Sequence, residues 1–586
     1  MVLGLTDWII IVVFFAFSLA VGLLTSKKAG SSASEFFLSG RTMPWWLLGV
    51  SMVATTFSAD TPNLVTDIVR KNGVSGNWVW WAFLLTGMLT VFTYAKLWRR
   101  SGATTDLEFY ELRYGGKSAA FLRGFRALYL GVFFNVVIMA TVSLAAIKIG
   151  GVMMGLTPVQ TLSIATAVTV AYSSLGGLRS VLITDFFQFL VAMAGSVAAT
   201  VYLLDLPQVG GLSVLLHDPA VLSRRSILPD FTDTSTLIPL LILPLAVQWW
   251  SVWYPGAEPG GGGYVAQRML SAKNEKNAFA ATLLFNIAHY ALRPWPWILI
   301  ALASLVVFPD LAALQKAFPA IPPDKINDDL AYPAMLTFLP TGLLGIIITS
   351  LIAAYMSTIS THLNWGSSYV VHDFYKRFVK PQASEKELVN IGRLTTVLLA
   401  IVSALLALLL TNALQAFNIL LQIGAGTGLI FILRWFWWRI NTYTEITGMA
   451  VSFLVAIYFE LIYTGPVAGH WKLLLGVAIT TLSWLVVTLL TQPESNDVLV
   501  GFYEKIKPAA MGWKPVLKNN PQVKEVKGQL PMEILFMVIG SFTVYGVLFS
   551  IGYLVYGNLA PAAISASVAL AGTIFLLKHW GRLNFQ

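Results

Sequence analysis

The chain has 586 residues, 56% of them hydrophobic and only 11% charged, with a mean hydropathy of +0.72. That composition excludes an ordinary soluble domain and places the chain in a bilayer, while the lack of cysteine excludes disulfides, thiolate metal sites and thiol chemistry. The formal charge of +10 is a matter of orientation and of contact with anionic headgroups, and gives no reason to invoke a nucleic acid.

Apolar segments long enough to cross a core of roughly 30 Å recur along the chain and predict one all-α polytopic domain of about fifteen membrane helices. They centre near residues 15, 57, 87, 137, 166, 192, 246, 293, 354, 398, 425, 453, 481, 545 and 569, and are numbered as spans in that order. Span one has no Lys or Arg before it, and Lys27 and Lys28 follow it directly. It therefore reads as a retained helix with its N-terminus outside.

Alternate loops then gather most of the basic residues on the cytoplasmic side, including Arg99, Arg100, Arg268, Lys273, Lys376, Arg377 and the stretch from Lys505 to Lys527. Arg70, Lys71, Arg224 and Arg225 are the exceptions. The C-terminus, with Lys578 and Arg582, is expected in the cytoplasm, and the membrane is expected to be a bacterial inner membrane.

Span two, "PWWLLGVSMVATTFSADTPNLVTDIV", carries Thr55, Thr56, Ser58, Asp60, Thr61, Pro62 and Asn63 at its middle, where lipid penalises unsatisfied polar groups. Span six holds Asp185 inside the membrane, as a functional carboxylate or as a partner of nearby Arg179. Span seven, "LIPLLILPLAVQWWSVWYPG", runs into "GAEPGGGGYVAQRMLSAK". This is no phosphate loop, because the Gly-Lys-Ser/Thr ending is missing and Glu258 would repel phosphate. Interrupted helices about five spans apart are the pattern of carriers built from two inverted repeats, with binding sites at the breaks.

Span eight contains Arg293 in "HYALRPWPW", which faces a cavity or pairs with an acid. Span nine contains "LIAAYMSTISTHLNWGSSYVVHDFYK". There Ala354, Ser357, Thr358 and Thr361 share a face by helical spacing, and Ser360 and Thr361 extend it. Such hydroxyls hold a hard monovalent cation if a neighbouring helix is unwound, or else bond back to their own backbone. Of the six histidines only His289 and His362 look embedded, so convergent catalytic groups are lacking and no enzyme is expected. A membrane sensor would need a larger soluble part than the cytoplasmic stretch near 492–531.

Four stretches in order, "SEFFLSGRTMPWW", "AYSSLGGLRSVLITDFFQ", "AQRMLSAKN" and "STISTHLNWGSSYVVHDFYK", resemble the markers of the sodium:solute symporter family, over about residues 5 to 440. The resemblance implies the leucine-transporter fold: a ten-helix inverted-repeat core at 44–440, a leading helix and loop at 1–43, and four accessory helices at 441–586. It implies a main sodium site from the carbonyls of Ala54, Phe57 and Ala354 with the hydroxyls of Ser357 and Thr358. A second sodium site would use Asp185, Ser357, Ser360 and Thr361.

The solute cavity is expected to involve Thr56, Asp60, Thr61, Gln248, Ser251 and Gln422. Trp80 belongs to an aromatic surface with Trp78, Trp81, Trp249, Trp250 and Trp253, which stacks on a sugar ring or anchors the chain at the interface. Against the sugar-carrying members, Tyr290 stands near the position of a sugar-binding lysine, and tryptophan replaces an acid in span three. The expected cargo is sodium with a neutral sugar or polyol, the alternative being an amino or organic acid, and no obligatory protein partner is expected. Pro255, Gly256, Gly260 and Gly263 form either the hinge or lid of an inner gate or a slack linker.

Overall fold

The computed structural model describes residues 3–252, 258–319, 321, 323, 326–410, 424, 426–526, 529–583 and 585. Pro255, Gly256, Trp253 and Gln422 therefore lie outside the described residues. Among the described residues, eleven helices are long and apolar enough to cross a membrane. One of them, Pro158–Leu204, runs for 47 residues. At about 1.5 Å per residue that is about 70 Å, more than twice a hydrocarbon core, so the segment supplies both span five and span six. It breaks at Gly177, whose φ of 55° and ψ of −156° are non-helical. A Cβ there would lie 2.6 Å from the Phe36 carbonyl oxygen, so glycine alone fits.

Spans two and seven are interrupted, as their polar and Pro-Gly content predicts. Span two is a helix Trp45–Thr56, a four-residue break, and a second helix Thr61–Asn72 that Pro62 starts. Span seven is helical from Thr234 to Ala246, with a π-helical stretch Ile238–Ile242. It tightens to a 3-10 turn at Gln248–Trp250 and leaves helical geometry at Ser251. Helicity returns at Gly263–Ser271. The start of span two and the end of that helix are tied side by side: the Met43 amide donates to the Ser271 carbonyl (3.3 Å) and the Lys273 amide to the Met43 carbonyl (3.2 Å).

Span nine runs as an α-helix from Leu343 to Ser368 and continues as a π-helix to Val379. It packs against spans one, two, five, six and ten. Its first turn is held by Asp7 of span one, whose Oδ1 accepts from the Gly342 and Gly345 amides (both 2.7 Å), a carboxylate placed at a helix N-terminus. Spans eight and nine are enclosed by neighbours, whereas spans thirteen and fifteen turn mostly apolar side chains outward, as a lipid-facing periphery does.

The face reached by Lys71, Lys148 and Asp329 is called upper below, and that reached by Arg99, Arg123 and Arg377 lower. The stretch near 492–531 caps the lower face with helices Asn496–Ile506 and Lys514–Asn519. Trp513 is fully buried and donates its indole N–H to the Trp435 carbonyl (3.0 Å), and Arg100 donates to the Ile506 carbonyl (2.9 Å).

Candidate ion and solute site

Unwinding span two frees the carbonyls that a continuous helix would consume. The amides that would close helical bonds onto Ala54 and Phe57 belong to Ser58 and Thr61. They turn elsewhere: Ser58 N donates to Thr61 Oγ1 (3.3 Å) and Thr61 N to the Ser58 carbonyl (3.1 Å). Ala54 O keeps only a tight contact with Phe57 N at 3.1 Å. Span nine faces this break. Thr358 Oγ1 lies 2.8 Å from the Thr55 carbonyl and 3.1 Å from the Ala354 carbonyl. Ser357 Oγ is buried and directed at the Asp185 carboxylate, close enough to act on it but short of full hydrogen-bond geometry. Neutral carbonyl and hydroxyl oxygens, one of them a buried hydroxyl without a full hydrogen bond, are a donor set that suits sodium. A buried polar atom left unpaired is otherwise a cost.

The residues of the expected second site are also brought together, with an addition that spacing did not show. Arg268, wholly buried, reaches in from the helix after the glycine run. It donates to Thr361 Oγ1 (2.7 Å) and to Ser51 Oγ (3.1 and 3.2 Å), and lies 3.8 Å from Asp185 Oδ2. Ser51 in turn donates to Asp185 Oδ2 at 2.5 Å. Thr361 also meets Thr55 Oγ1 at 3.0 Å, while Ser360 bonds back to the Ser357 carbonyl. A guanidinium thus supplies the positive charge beside Asp185. Arg179 is not its partner in this structure.

Above the ion site lies a cavity of about 200 Å³ that reaches the upper face. Thr56, Asp60, Thr61, Trp80, Tyr290 and Arg293 line it, with Asn63 and His289. Trp80 stacks on Tyr290 (centroids 6.0 Å apart, 24° between planes) and meets His289 edge-on. Gln248 and Ser251 are buried but spent on backbone: Gln248 Nε2 donates to the Val79 carbonyl (2.7 Å) and Ser251 Oγ to the Gln248 carbonyl (2.6 Å). Trp78 and Trp81 pack as core, with Trp78 against Tyr545 and Phe549 of span fourteen.

Asn63, which the composition of span two contained but did not single out, is buried with both side-chain polar atoms unpaired on the cavity wall. The cation missing at Tyr290 is present one helical turn further on, as Arg293.

The glycine run is a buried, packed turn. Gly260 and Gly261 take φ of +86° and +94°, which L side chains rarely adopt. A Cβ on Gly260 would press on the Tyr94 ring at 3.0 Å. The Gly260 carbonyl accepts from the Trp98 indole (2.8 Å), and Asp106 Oδ2 accepts from the Gly263 amide (2.9 Å). Glu258 pairs with Arg126 of span four at 2.6 Å, both buried, and Tyr369 of span nine donates to Asp106 Oδ1 at 2.5 Å. These contacts close the lower face beneath the cavity.

Burial, and then the charge of Glu258, push the Asp106 carboxyl up from its ordinary 3.8 to about 6. An acid raised on folding stabilises fully below its unfolded value and loses that contribution as pH rises through the folded one. Apparent melting temperature in detergent is therefore expected to fall between about pH 4 and pH 6, and the Asp106→Asn variant to flatten that slope. An unchanged slope in the variant would assign it to another group.

Two interrupted helices, carbonyls freed against a hydroxyl-bearing helix, and a polar cavity one residue away define a secondary carrier that moves an ion and a solute together. The family model of the Sodium:solute symporter family matches residues 36–452. Relatives include the sodium/glucose cotransporter of Vibrio parahaemolyticus, 25% identical over 78% of this chain and 86% of that protein. Sodium/myo-inositol cotransporter 2 of Oryctolagus cuniculus is 26% identical over 90% of this chain and 85% of that one. The solved substrate-bound, outward-open structure of a Na+-coupled sialic acid symporter shares the fold. Its TM-score is 0.67 at 22% identity, over 84% of this chain and 99% of that chain. The chain belongs to the sodium:solute symporter family, in its leucine-transporter-like fold; it is a membrane transporter, not an enzyme, and sodium is its coupling ion.

Proposed function

We propose that this protein imports a small polyhydroxy solute of sugar or polyol type with sodium, by alternating access, across a bacterial inner membrane. The observation that carries the coupling is the adjacency of Thr55 and Thr56. Thr55 offers its carbonyl to Thr358 and its hydroxyl to Thr361 on the ion side, while Thr56 Oγ1 faces His289 and Arg293 in the cavity. A cation bound at Ala54, Phe57, Ala354, Ser357 and Thr358 therefore shapes the same interrupted stretch of span two that supplies Thr56, Ser58, Asp60 and Thr61 to the solute wall. A ligand shifts an equilibrium only through differential affinity, and that shared break is where it would arise.

The sugar reading is supported by the cargo of the relatives, by the Trp80–Tyr290 stack and by the hydrogen-bonding Asp60, Thr61 and Asn63. The upper face is taken as outside, in accord with the basic loops of the lower face. Glu258–Arg126 and Asp106–Gly263 then form the closed inner gate, which must part to release cargo. Uptake in proteoliposomes is the test: an inward sodium gradient is expected to drive accumulation of a sugar or polyol. Accumulation driven by a proton gradient alone, or only of amino acids, would overturn the reading.

A further inference from the structure

Arg293 differs from the other buried arginines. Arg70, Arg123, Arg126 and Arg434 each contact a carboxylate, at 2.8, 2.7, 2.6 and 3.4 Å, and Arg268 approaches one at 3.8 Å. Arg113, also buried, donates to three backbone carbonyls. Arg293 is only 2% exposed, and among the described residues it has no carboxylate within salt-bridge distance. Its donors reach Thr56 Oγ1 at 3.3 Å and His289 Nε2 at 3.2 Å, and its Nε has no acceptor at all.

The hydrogen bonds decide the charge of that neighbourhood. A guanidinium only donates, so His289 Nε2 must accept; its proton then sits on Nδ1 and goes to Thr56 Oγ1 at 3.0 Å. His289 is therefore neutral and adds no counter-charge. Asp60 lines the same cavity and its charge reaches Arg293, but no ion-pair contact joins the two. A cation held near the middle of a bilayer on two long neutral bonds and the face of Trp297, 5.4 Å from the ring centroid, is still costly unless an anion meets it.

The rest of the cavity says what that anion is attached to. On the same cavity wall span two presents the Asp60 carboxylate and Asn63, whose amide oxygen and nitrogen are both unpaired. Those groups accept from and donate to hydroxyls. The stacked Trp80 and Tyr290 add an aromatic face that suits a ring or carbon chain.

Resting on the sugar-type reading above, we propose that the transported solute is a sugar acid: a polyhydroxylated compound with one carboxylate, which Arg293 receives, its hydroxyls meeting Asp60 and Asn63. This replaces the neutral cargo that Tyr290, taken without the arginine one turn away, implies. The sodium and the carboxylate would then enter on opposite sides of the same broken helix, Thr55 next to one and Thr56 next to the other, each favouring the other by charge.

The test is a thermal-shift titration of the purified full-length protein in sodium and in potassium, with gluconate, glucuronate, glucose, myo-inositol and proline as probes. Stabilisation by gluconate or glucuronate in sodium is expected, at affinities at least about tenfold above those for glucose and myo-inositol, one decade being about 1.4 kcal/mol. Arg293→Gln is expected to erase that preference, and Arg293→Lys to retain part of it, which separates charge recognition from a folding defect. Sodium-dependent binding of glucose or myo-inositol with no preference for the acids overturns the sugar-acid proposal and leaves the sugar reading standing. Binding of proline alone, or of none of the five, overturns both.

Discussion

Replacing Ser357 and Thr358 together by alanine is expected to abolish sodium-stimulated transport while the protein still folds and inserts. The pair supplies the only two side-chain oxygens of the proposed main ion site; the remaining ligands are the carbonyls of Ala54, Phe57 and Ala354. A hard cation stripped of water needs its full set of oxygens, and each tenfold loss of affinity corresponds to about 1.4 kcal/mol. Losing two ligands should raise the sodium concentration for half-maximal uptake by about 100-fold or more.

Folding should tolerate the change. Ser357 Oγ loses only its loose approach to Asp185, and the only bonds lost with Thr358 Oγ1 are those to the Thr55 and Ala354 carbonyls. The measurement is sodium-dependent uptake in proteoliposomes, with monodispersity on size exclusion as the folding control. Unchanged sodium dependence in a monodisperse double variant would sink the site.

Arg268→Gln is expected to destabilise the carrier strongly, and sodium is expected to restore part of the loss. Arg268 and Asp185 are both wholly buried. Removing one partner of a buried ionic cluster leaves the other charge uncompensated, at a cost of about 3–5 kcal/mol. The Asp185→Asn, Arg268→Gln double variant should be less impaired than Arg268→Gln alone, because no lone charge remains.

In Arg268→Gln the oxygens of Asp185, Ser357, Ser360 and Thr361 are open to a second sodium, so its thermal stability should climb with sodium more steeply than that of the wild type. With the guanidinium beside Asp185, the wild type is expected to carry one sodium per solute. A wild-type ratio of two, with no extra sodium stabilisation in Arg268→Gln, would show that the guanidinium does not stand in for an ion.

Much of the architecture is legible locally. Span two announces its own break: six polar residues and a proline between Thr55 and Asn63 cannot remain a regular helix in lipid without partners. The hydroxyl face of span nine follows from spacing alone, since residues three, four and seven apart share a side. The division of Pro158–Leu204 into two spans follows from length. Gly177 marks the place, although periodicity through that region does not.

Other features were hidden. Gln248 and Ser251 sit in the right helix, yet their polar atoms are turned to backbone because the 3-10 turn at Gln248–Trp250 aims them away from the cavity. The glycine run gave two equal readings by composition. Its positive φ values and the Tyr94 and Trp98 side chains against it show a packed turn.

By itself the sequence determined the membrane environment, the approximate spans, the two interruptions and the oxygen-rich face opposite the first of them. Each depends on residues within a few turns of one another, so local periodicity and the intolerance of lipid for unpaired polar groups suffice to find them. Only the tertiary structure decided the charge partners: Arg268 beside Asp185, Glu258 on Arg126, and Arg293 left with Thr56 and a neutral histidine. Those outcomes depend on which helix faces which across tens to hundreds of residues of chain. In a medium of low dielectric, that choice determines whether a buried charge is paired within the protein or is left to be met by what it carries.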